Sequence, residues 1–353
     1  MLNGKIELRS DSMTQPSLAM REAMAKAAVG DDGYGEDPSI NELEKKVACI
    51  FGKEAGLFVV SGTMGNLVCI LAQTIPGQEI ITDSESHILL YESGGYARLG
   101  GLTVQAIPCK GGAFDPDAVE AVIRHDYSSL ICVENTHNRG GGAVMGSAHL
   151  ARLRNVADRH GLRLHIDGAR IFNAAVALDV KVADLACYAH SVAFCLSKGL
   201  GCPAGAMVVG DSAFIKRARK MRQLLGGSMR QVGILAAAGL FALEDFNNLE
   251  ARLRRDHRNA RCLAESLSKI DGLKVDISEV QTNIVYASIS EMGVDSEEFV
   301  RMLTERGVNI LPTTKSVVRL VTHQDIEDDE IEIASATIAE CVSENLRKNS
   351  GVR

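Results

Sequence analysis

The sequence predicts an α/β fold: a mainly parallel sheet with helices on both faces, followed by a smaller C-terminal α+β domain. Three observations carry this. Apolar runs of strand length alternate with helical segments between residues 55 and 209. Several of those runs end in small or polar residues, as strands do where they open onto a site. From about Phe246 the pattern changes to a long charged helix and short strands. At 353 residues the chain exceeds one ordinary core, so a large and a small domain are expected. Residues 1–15 read as an N-terminal arm, 16–245 as the large domain and 246–353 as the small one.

The arm holds Ile6-Glu7-Leu8-Arg9-Ser10-Asp11, an extended stretch that ends in a turn. Pro16 then opens a helix over 17–26, since the N–H that proline lacks has no partner in a first turn. Residues 30–38 contain three glycines and four acids, a composition for a turn-rich loop rather than a core element. Its acids read equally as solvated or as functional. Apolar spacing predicts a helix over 41–51. A short apolar strand over 55–60 runs into Ser61-Gly62-Thr63-Met64-Gly65-Asn66, with a helix over 67–73 directly behind. Strand, small polar turn and helix make a phosphate cradle, because a helix N-terminus offers unpaired N–H groups and a positive dipole end. Alone that signal is weak, since many α/β proteins carry it.

Further strands are expected at 79–82, 103–107, 129–133, 163–166, 191–196 and 206–209. Helices over 88–96, 116–123 and 149–160 fall between most of them. Strands covered on both faces read as such unbroken apolar runs. The Ala-rich segment 233–243 reads as a buried helix, and the basic run from Lys216 to Arg222 as a solvated helix face. In the small domain a helix over 246–270 precedes strands at 272–277, 283–287 and 317–321, with a helix over 296–306.

Composition excludes some classes. A net charge of −7 with no tryptophan argues against nucleic acid as a partner. No apolar run reaches the ~18–20 residues that span a bilayer, so no membrane segment is expected. Nine scattered cysteines form no CxxC pair, and the acidic loop at 31–37 lacks ligand spacing, so no metal is expected. An odd cysteine count without a secretory leader suggests reduced thiols in the cytoplasm.

Two residues carry the chemistry. Asp167 ends the apolar run Leu164-His165-Ile166, and Lys198 follows the run 191–196 inside Ser197-Lys198-Gly199-Leu200-Gly201. An acid and a lysine at successive strand ends suit pyridoxal phosphate. The amine joins the cofactor aldehyde, and the carboxylate keeps the pyridine nitrogen protonated. The plain alternatives are a surface lysine and a helix-capping aspartate.

Taken in order, several motifs resemble the low-specificity L-threonine aldolases, in the β-eliminating lyase branch of fold-type I pyridoxal phosphate enzymes. They are Leu8-Arg9-Ser10-Asp11, Tyr34-Gly35-Glu36-Asp37-Pro38, Ser61-Gly62-Thr63-Met64, Glu134-Asn135-Thr136-His137-Asn138, the Asp167 and Lys198 segments, Gly226-Gly227-Ser228-Met229-Arg230 and Val318-Arg319-Leu320. The resemblance implies Lys198 as the cofactor-bearing lysine and Asp167 as partner of the ring nitrogen. It implies Gly62, Thr63 and Arg170 at the phosphate, His87 stacked on the ring, and His87 or His137 as base. Imidazole suits that role because its ordinary pKa of ~6.5 lies near neutrality. It implies Ser10 and Arg319 at the substrate carboxylate, where a guanidinium fork fits. Tyr34 and Arg230 would reach the site of a neighbouring subunit, which implies a homo-oligomer, a dimer or tetramer. Gln223, where relatives often carry lysine, and Ser228, within the glycine run, depart from the pattern.

The implied reaction is retro-aldol cleavage of a β-hydroxy-α-amino acid, a small-molecule substrate, to glycine and an aldehyde. Lys198 and Asp167 alone do not separate this from transamination or β-elimination. A non-catalytic phosphate-binding protein is the remaining alternative. The preferred diastereomer and aldehyde are not readable from the residues.

Overall fold

The computed structural model describes residues 4–109 and 111–349. The chain divides into two compact units. The larger takes Gln15–Gly140 and Val144–Leu249; the smaller takes residues up to Thr14, Gly141–Ala143 and those from Glu250 onward. The N-terminal segment read as an arm belongs to the smaller unit.

Strand β1 (Ile6–Glu7) lies in that smaller unit. The larger unit contains β2 (Ala55–Val59), β3 (Glu79–Asp83), β4 (Thr103–Ile107), β5 (Ser128–Glu134), β6 (Arg163–Asp167), β7 (Ser191–Cys195) and β8 (Ala206–Gly210). These form one sheet in the order β2-β8-β7-β6-β5-β3-β4. From β4 to β7 the neighbours are parallel, with Glu134 opposite Asp167 and Asp167 opposite Ala193. β8 is antiparallel to both neighbours. The loop between β7 and β8, residues 196–205, has no helix, and a parallel return needs a longer, usually helical crossover. β7 and β8 are buried at every position and read as apolar runs; β3 is as buried but carries Glu79, Thr82 and Asp83.

Helices cover the sheet. Leu57 and Val59 of β2 pack with helices Gly62–Leu71 and Ser212–Leu224 through Val68, Cys69, Phe214 and Ala218. The alternate residue Gly56 faces helix Pro38–Phe51, so closely that a Cβ there would meet the Glu44 carbonyl at 2.7 Å. Helix Ser147–Arg159 buries Leu150, Leu153 and Val156 at helical spacing.

In the smaller unit β9 (Ile284–Ser288), β10 (Val308–Asn309), β11 (Leu311–Thr314) and β12 (Val317–Val321) follow. β11, β12 and β9 form an antiparallel sheet, and β1 pairs with β10 in parallel. Its core joins Ile6 and Leu8 to Leu263, Val285, Val318 and Leu320. Among the described residues no helix is long and apolar enough to cross a membrane.

Several expectations need correction. The helix behind the small polar turn starts at Gly62, not 67, because Ser61 Oγ accepts from the Met64 N–H at 3.2 Å and caps it there. The segment 88–96 is two short helices, His87–Leu90 and Gly95–Arg98, separated at Ser93 and Gly94, which both have positive φ. The strand expected at 272–277 is a single bridge, Lys274 to Ser288, running into the turn Ile277–Glu279. β10, β11 and the helix Asp328–Asn349 were not expected. The basic run is not a wholly solvated face: Arg222 is buried at 3% exposure.

Candidate active site

Asp167 is the last residue of β6 and Lys198 lies in the loop after β7, so two adjacent strands carry them. Asp167 is buried; its Oδ1 accepts from the Ala169 N–H at 3.1 Å and its Oδ2 from Asn66 Nδ2 at 2.8 Å. The same Asn66 nitrogen donates to Glu92 Oε1 at 2.8 Å. Glu92 Oε1 lies 2.8 Å from His87 Nδ1. His87, Glu92 and Asp167 have polar atoms within 4.8 Å of one another, and the charge of half-buried Lys198 is felt at His87.

Burial pulls the His87 imidazole towards neutrality, but the Glu92 hydrogen bond and the Asp167 charge outweigh it, so its pKa lies above the ordinary value. Burial, with Asp167 adding to it, pushes the Glu92 carboxyl up against the bonds from His87 and Asn66. The pair therefore holds its proton more firmly than a free imidazole does.

Gly62 and Thr63 form the first turn of helix Gly62–Leu71, where backbone N–H groups lack helical partners. A Cβ at Gly62 would come 2.7 Å from Cys195 Sγ, so the turn lies against β7 with no room for a side chain. Arg170, buried, leads into helix Ile171–Leu178. These residues fit pyridoxal phosphate. A buried carboxylate with spare acceptor capacity suits the ring nitrogen, a bare helix turn and a guanidinium suit phosphate, and a lysine suits the aldehyde.

His137, buried at 2% exposure, has both ring nitrogens engaged. Nδ1 accepts from the Gly140 N–H at 2.8 Å, so in the neutral ring the proton is on Nε2. Nε2 lies 2.6 Å from Asp83 Oδ2, without the direction of a linear hydrogen bond. Burial opposes the charged ring, yet Asp83 and Glu134 raise its pKa overall. Glu134 brackets both histidine segments, accepting from the His87 N–H at 2.8 Å and the Asn138 N–H at 2.7 Å.

Tyr34 and Arg230 also lie in the larger unit, and their segments meet. The Asp32 N–H donates to the Arg230 carbonyl at 3.2 Å, and Arg230 Nη1 lies 3.4 Å from Asp31 Oδ1. Tyr34 is 80% exposed. The acidic loop is organised rather than solvated. Asp37 caps helix Pro38–Phe51 and accepts from the N–H groups of Gly30 and Gly233. Buried Asp32 pairs with Arg222 Nη2 at 2.6 Å, and Arg222 Nη1 donates to the Phe58 carbonyl at 2.9 Å. In the smaller unit, Arg319 Nη2 donates to the Arg9 carbonyl at 3.0 Å, one residue from Ser10. Ser10 Oγ accepts from the Ser12 N–H at 3.2 Å.

Sequence reasoning gave no role to Glu92 or Asp83, and it named Asn66 and Glu134 only as members of motifs. Glu92 stands five residues after His87 and Asn66 ends the Ser61 motif, but neither partner is visible without the sheet order. All nine cysteines are free thiols, with Cys195 and Cys202 buried beside the Lys198 loop.

The Beta-eliminating lyase family model matches residues 7–290. The probable low-specificity L-threonine aldolase 2 of Arabidopsis thaliana is 44% identical over 337 residues, spanning 93% of this chain and 94% of that protein. The low specificity L-threonine aldolase of Escherichia coli K12 is 41% identical over 334 residues, spanning 92% and 96%. The solved threonine aldolase of Leishmania major superposes with a TM-score of 0.81 at 19% identity, over 96% of this chain and 99% of that one. That last likeness carries the fold; the family match and the two relatives carry descent. The chain belongs to the beta-eliminating lyase family.

Proposed function

We propose that the chain is a carbon–carbon lyase that cleaves L-threonine, L-allo-threonine and related β-hydroxy-α-amino acids to glycine and an aldehyde, with pyridoxal phosphate as cofactor. The observation that carries this is the His87–Glu92 dyad set against Asp167 and Lys198. A base oriented by a carboxylate, next to a cofactor-bearing lysine, is what removal of a β-hydroxyl proton requires. The names and 41–44% identity of the relatives support the substrate class.

Bound pyridoxal phosphate supplies an aldehyde that links to an amine and a ring that accepts an electron pair. Lys198 would hold the cofactor at its aldehyde through Nζ. Asp167 holds a proton at the ring nitrogen. Gly62, Thr63 and Arg170 hold the phosphate. His87 takes the hydroxyl proton at Nε2, because an ionised Glu92 keeps the other ring proton on Nδ1. As that proton leaves, the Cα–Cβ bond breaks, the aldehyde departs, and Cα later takes a proton to become glycine. His137, with Nδ1 accepting from the Gly140 N–H and Nε2 beside Asp83, has no ring nitrogen left to take the hydroxyl proton, so it is not the base.

Ser10 and Arg319 hold the substrate carboxylate; the contact of Arg319 with the Arg9 carbonyl supports the pairing. Tyr34 and Arg230, exposed and tied together through Asp31 and Asp32, reach a neighbouring subunit, and the enzyme is a homo-oligomer, a dimer or tetramer. Its nine free thiols support a cytoplasmic setting. The test is product analysis with threonine and allo-threonine. Glycine and acetaldehyde in equal amounts support the reading; 2-oxobutyrate from elimination, 2-oxo-3-hydroxybutyrate from transamination, or an unchanged substrate overturns it.

A further inference from the structure

We propose that Asn66 is a positioning residue that couples the proton shared by His87 and Glu92 to the carboxylate of Asp167, and that His165 fixes its orientation. This deepens the lyase reading and rests on it only for its kinetic arm.

Asn66 Nδ2 carries two hydrogens and has two carboxylate acceptors, Glu92 Oε1 and Asp167 Oδ2, both at 2.8 Å. Oδ1 is then turned away and can only accept; its neighbour is His165 Nε2 at 3.1 Å. His165 must therefore carry its hydrogen on Nε2. That leaves Nδ1 to accept from Ser191 Oγ at 2.9 Å, although the Ser191 carbonyl, an acceptor, also lies 3.2 Å from it and competes for a proton there. Ser191 Oγ in turn accepts from Gln73 Nε2 at 2.8 Å, and that amide also donates to the Cys69 carbonyl at 2.9 Å. Every donor has one direction, from Gln73 to Asp167. Reversing Asn66 would set its oxygen against two carboxylates and its N–H groups against the His165 N–H.

Burial fixes the chain further. Asn66, His165 and Ser191 are at most 2% exposed. Burial pulls His165 down to about 4, so the ring is neutral and has a single hydrogen to place. The other titratable groups facing these carboxylates are Lys198, which acts on His87, and the thiols of Cys69 and Cys132, which burial keeps protonated. Glu92 and Asp167 are thus the acids at this point, and one amide serves both.

The consequence follows from the sign of each bond. A donor to a carboxylate favours its ionised form. Without Asn66, both carboxyls bind protons more readily. Glu92 is then the stronger base, so the His87–Glu92 pair keeps its shared proton up to higher pH. The acid limb of kcat/KM moves to higher pH, and the protonation of the bound cofactor shifts in the same direction. A residue that only fills space would change stability and leave both pH midpoints alone.

The test uses full-length protein loaded with pyridoxal phosphate and three variants, Asn66→Ala, His165→Phe and His165→Gln. The readouts are the visible absorbance of the bound cofactor against pH and the pH dependence of kcat/KM with threonine. Asn66→Ala and His165→Phe are expected to shift both midpoints and to lower kcat about tenfold, less than the ~10²–10⁴ contributed by the proton-transferring group itself. His165→Gln, which keeps an N–H near the Nε2 position, is expected to restore the wild-type midpoints. Unshifted midpoints in folded Asn66→Ala or in His165→Phe overturn the proposal, as does a His165→Gln protein that behaves like His165→Phe. If Asn66→Ala does not fold, the His165 pair decides by the same criteria. The absorbance titration needs no turnover, so it still decides the coupling if threonine proves not to be the substrate.

Discussion

Replacing Gly62 with alanine should weaken cofactor binding, and replacing Cys195 with alanine as well should restore it. Gly62 has helical backbone, so alanine is allowed there and by propensity gains about 0.8–1 kcal/mol. The obstacle is steric and single: the new Cβ would lie 2.7 Å from Cys195 Sγ, and no other atom is within 4 Å. Cys195 is buried on β7 and cannot swing far, so the helix turn must shift instead. Overpacking of this kind costs about 1–3 kcal/mol, leaving a net loss of stability of about 0–2 kcal/mol. Binding suffers more. One lost hydrogen bond to the charged phosphate is worth about 1.5–3 kcal/mol, or roughly 10- to 150-fold in Kd. Equilibrium dialysis against pyridoxal phosphate measures this. Gly62→Ala should fall in that range, and Gly62→Ala with Cys195→Ala should return to within about threefold of wild type, since the clashing atom is gone. A single variant with wild-type affinity, or a double variant as weak as the single, would refute the placement of the phosphate at this turn.

Other outcomes follow from the same contacts. Glu92→Gln removes the anion that raises His87, so the acid limb of the pH–rate profile should move to lower pH. Its kcat should fall at least about tenfold, toward the ~10²–10⁴ that a positioned base contributes; an unmoved limb would assign it to another group. Arg222→Ala leaves the buried Asp32 carboxylate only the longer Arg219 contact at 3.6 Å and should cost up to about 3–5 kcal/mol in urea unfolding, where a solvated arginine would cost almost nothing. Arg319→Ala should raise KM and lower kcat together, because one grip both binds and orients, with a cost on the order of 2–5 kcal/mol in kcat/KM; a change within about twofold would leave a structural arginine.

The sheet was legible because its strands are buried on both faces, so apolar runs and polar ends coincide with strands and strand ends. Asp167 and Lys198 stood out for that reason. What was missed depends on contacts between segments far apart in sequence. Glu92 gains meaning from Asn66, and Asn66 from Asp167, 101 residues on. Arg222 looked solvated within a basic run because its partner, Asp32, lies 190 residues away. The helix start at Gly62 was misplaced because a serine cap, not apolar periodicity, sets it. The segment 272–277 has the apolar residues of a strand, yet only Lys274 pairs, with Ser288 on the outer edge of β9, and the chain then turns at Asp276. Both histidines were readable as candidates, but the choice between them rests on which ring nitrogen is already occupied, and no sequence pattern carries that.

The central claim is that Lys198 carries the cofactor for cleavage of a Cα–Cβ bond. The most direct measurement is glycine and acetaldehyde release from threonine by wild type and by Lys198→Ala, each incubated with pyridoxal phosphate. The account predicts equimolar products from wild type and loss of turnover in the variant, together with loss of the borohydride-reducible bond between cofactor and protein. Threonine cleavage by Lys198→Ala at the wild-type rate would contradict it.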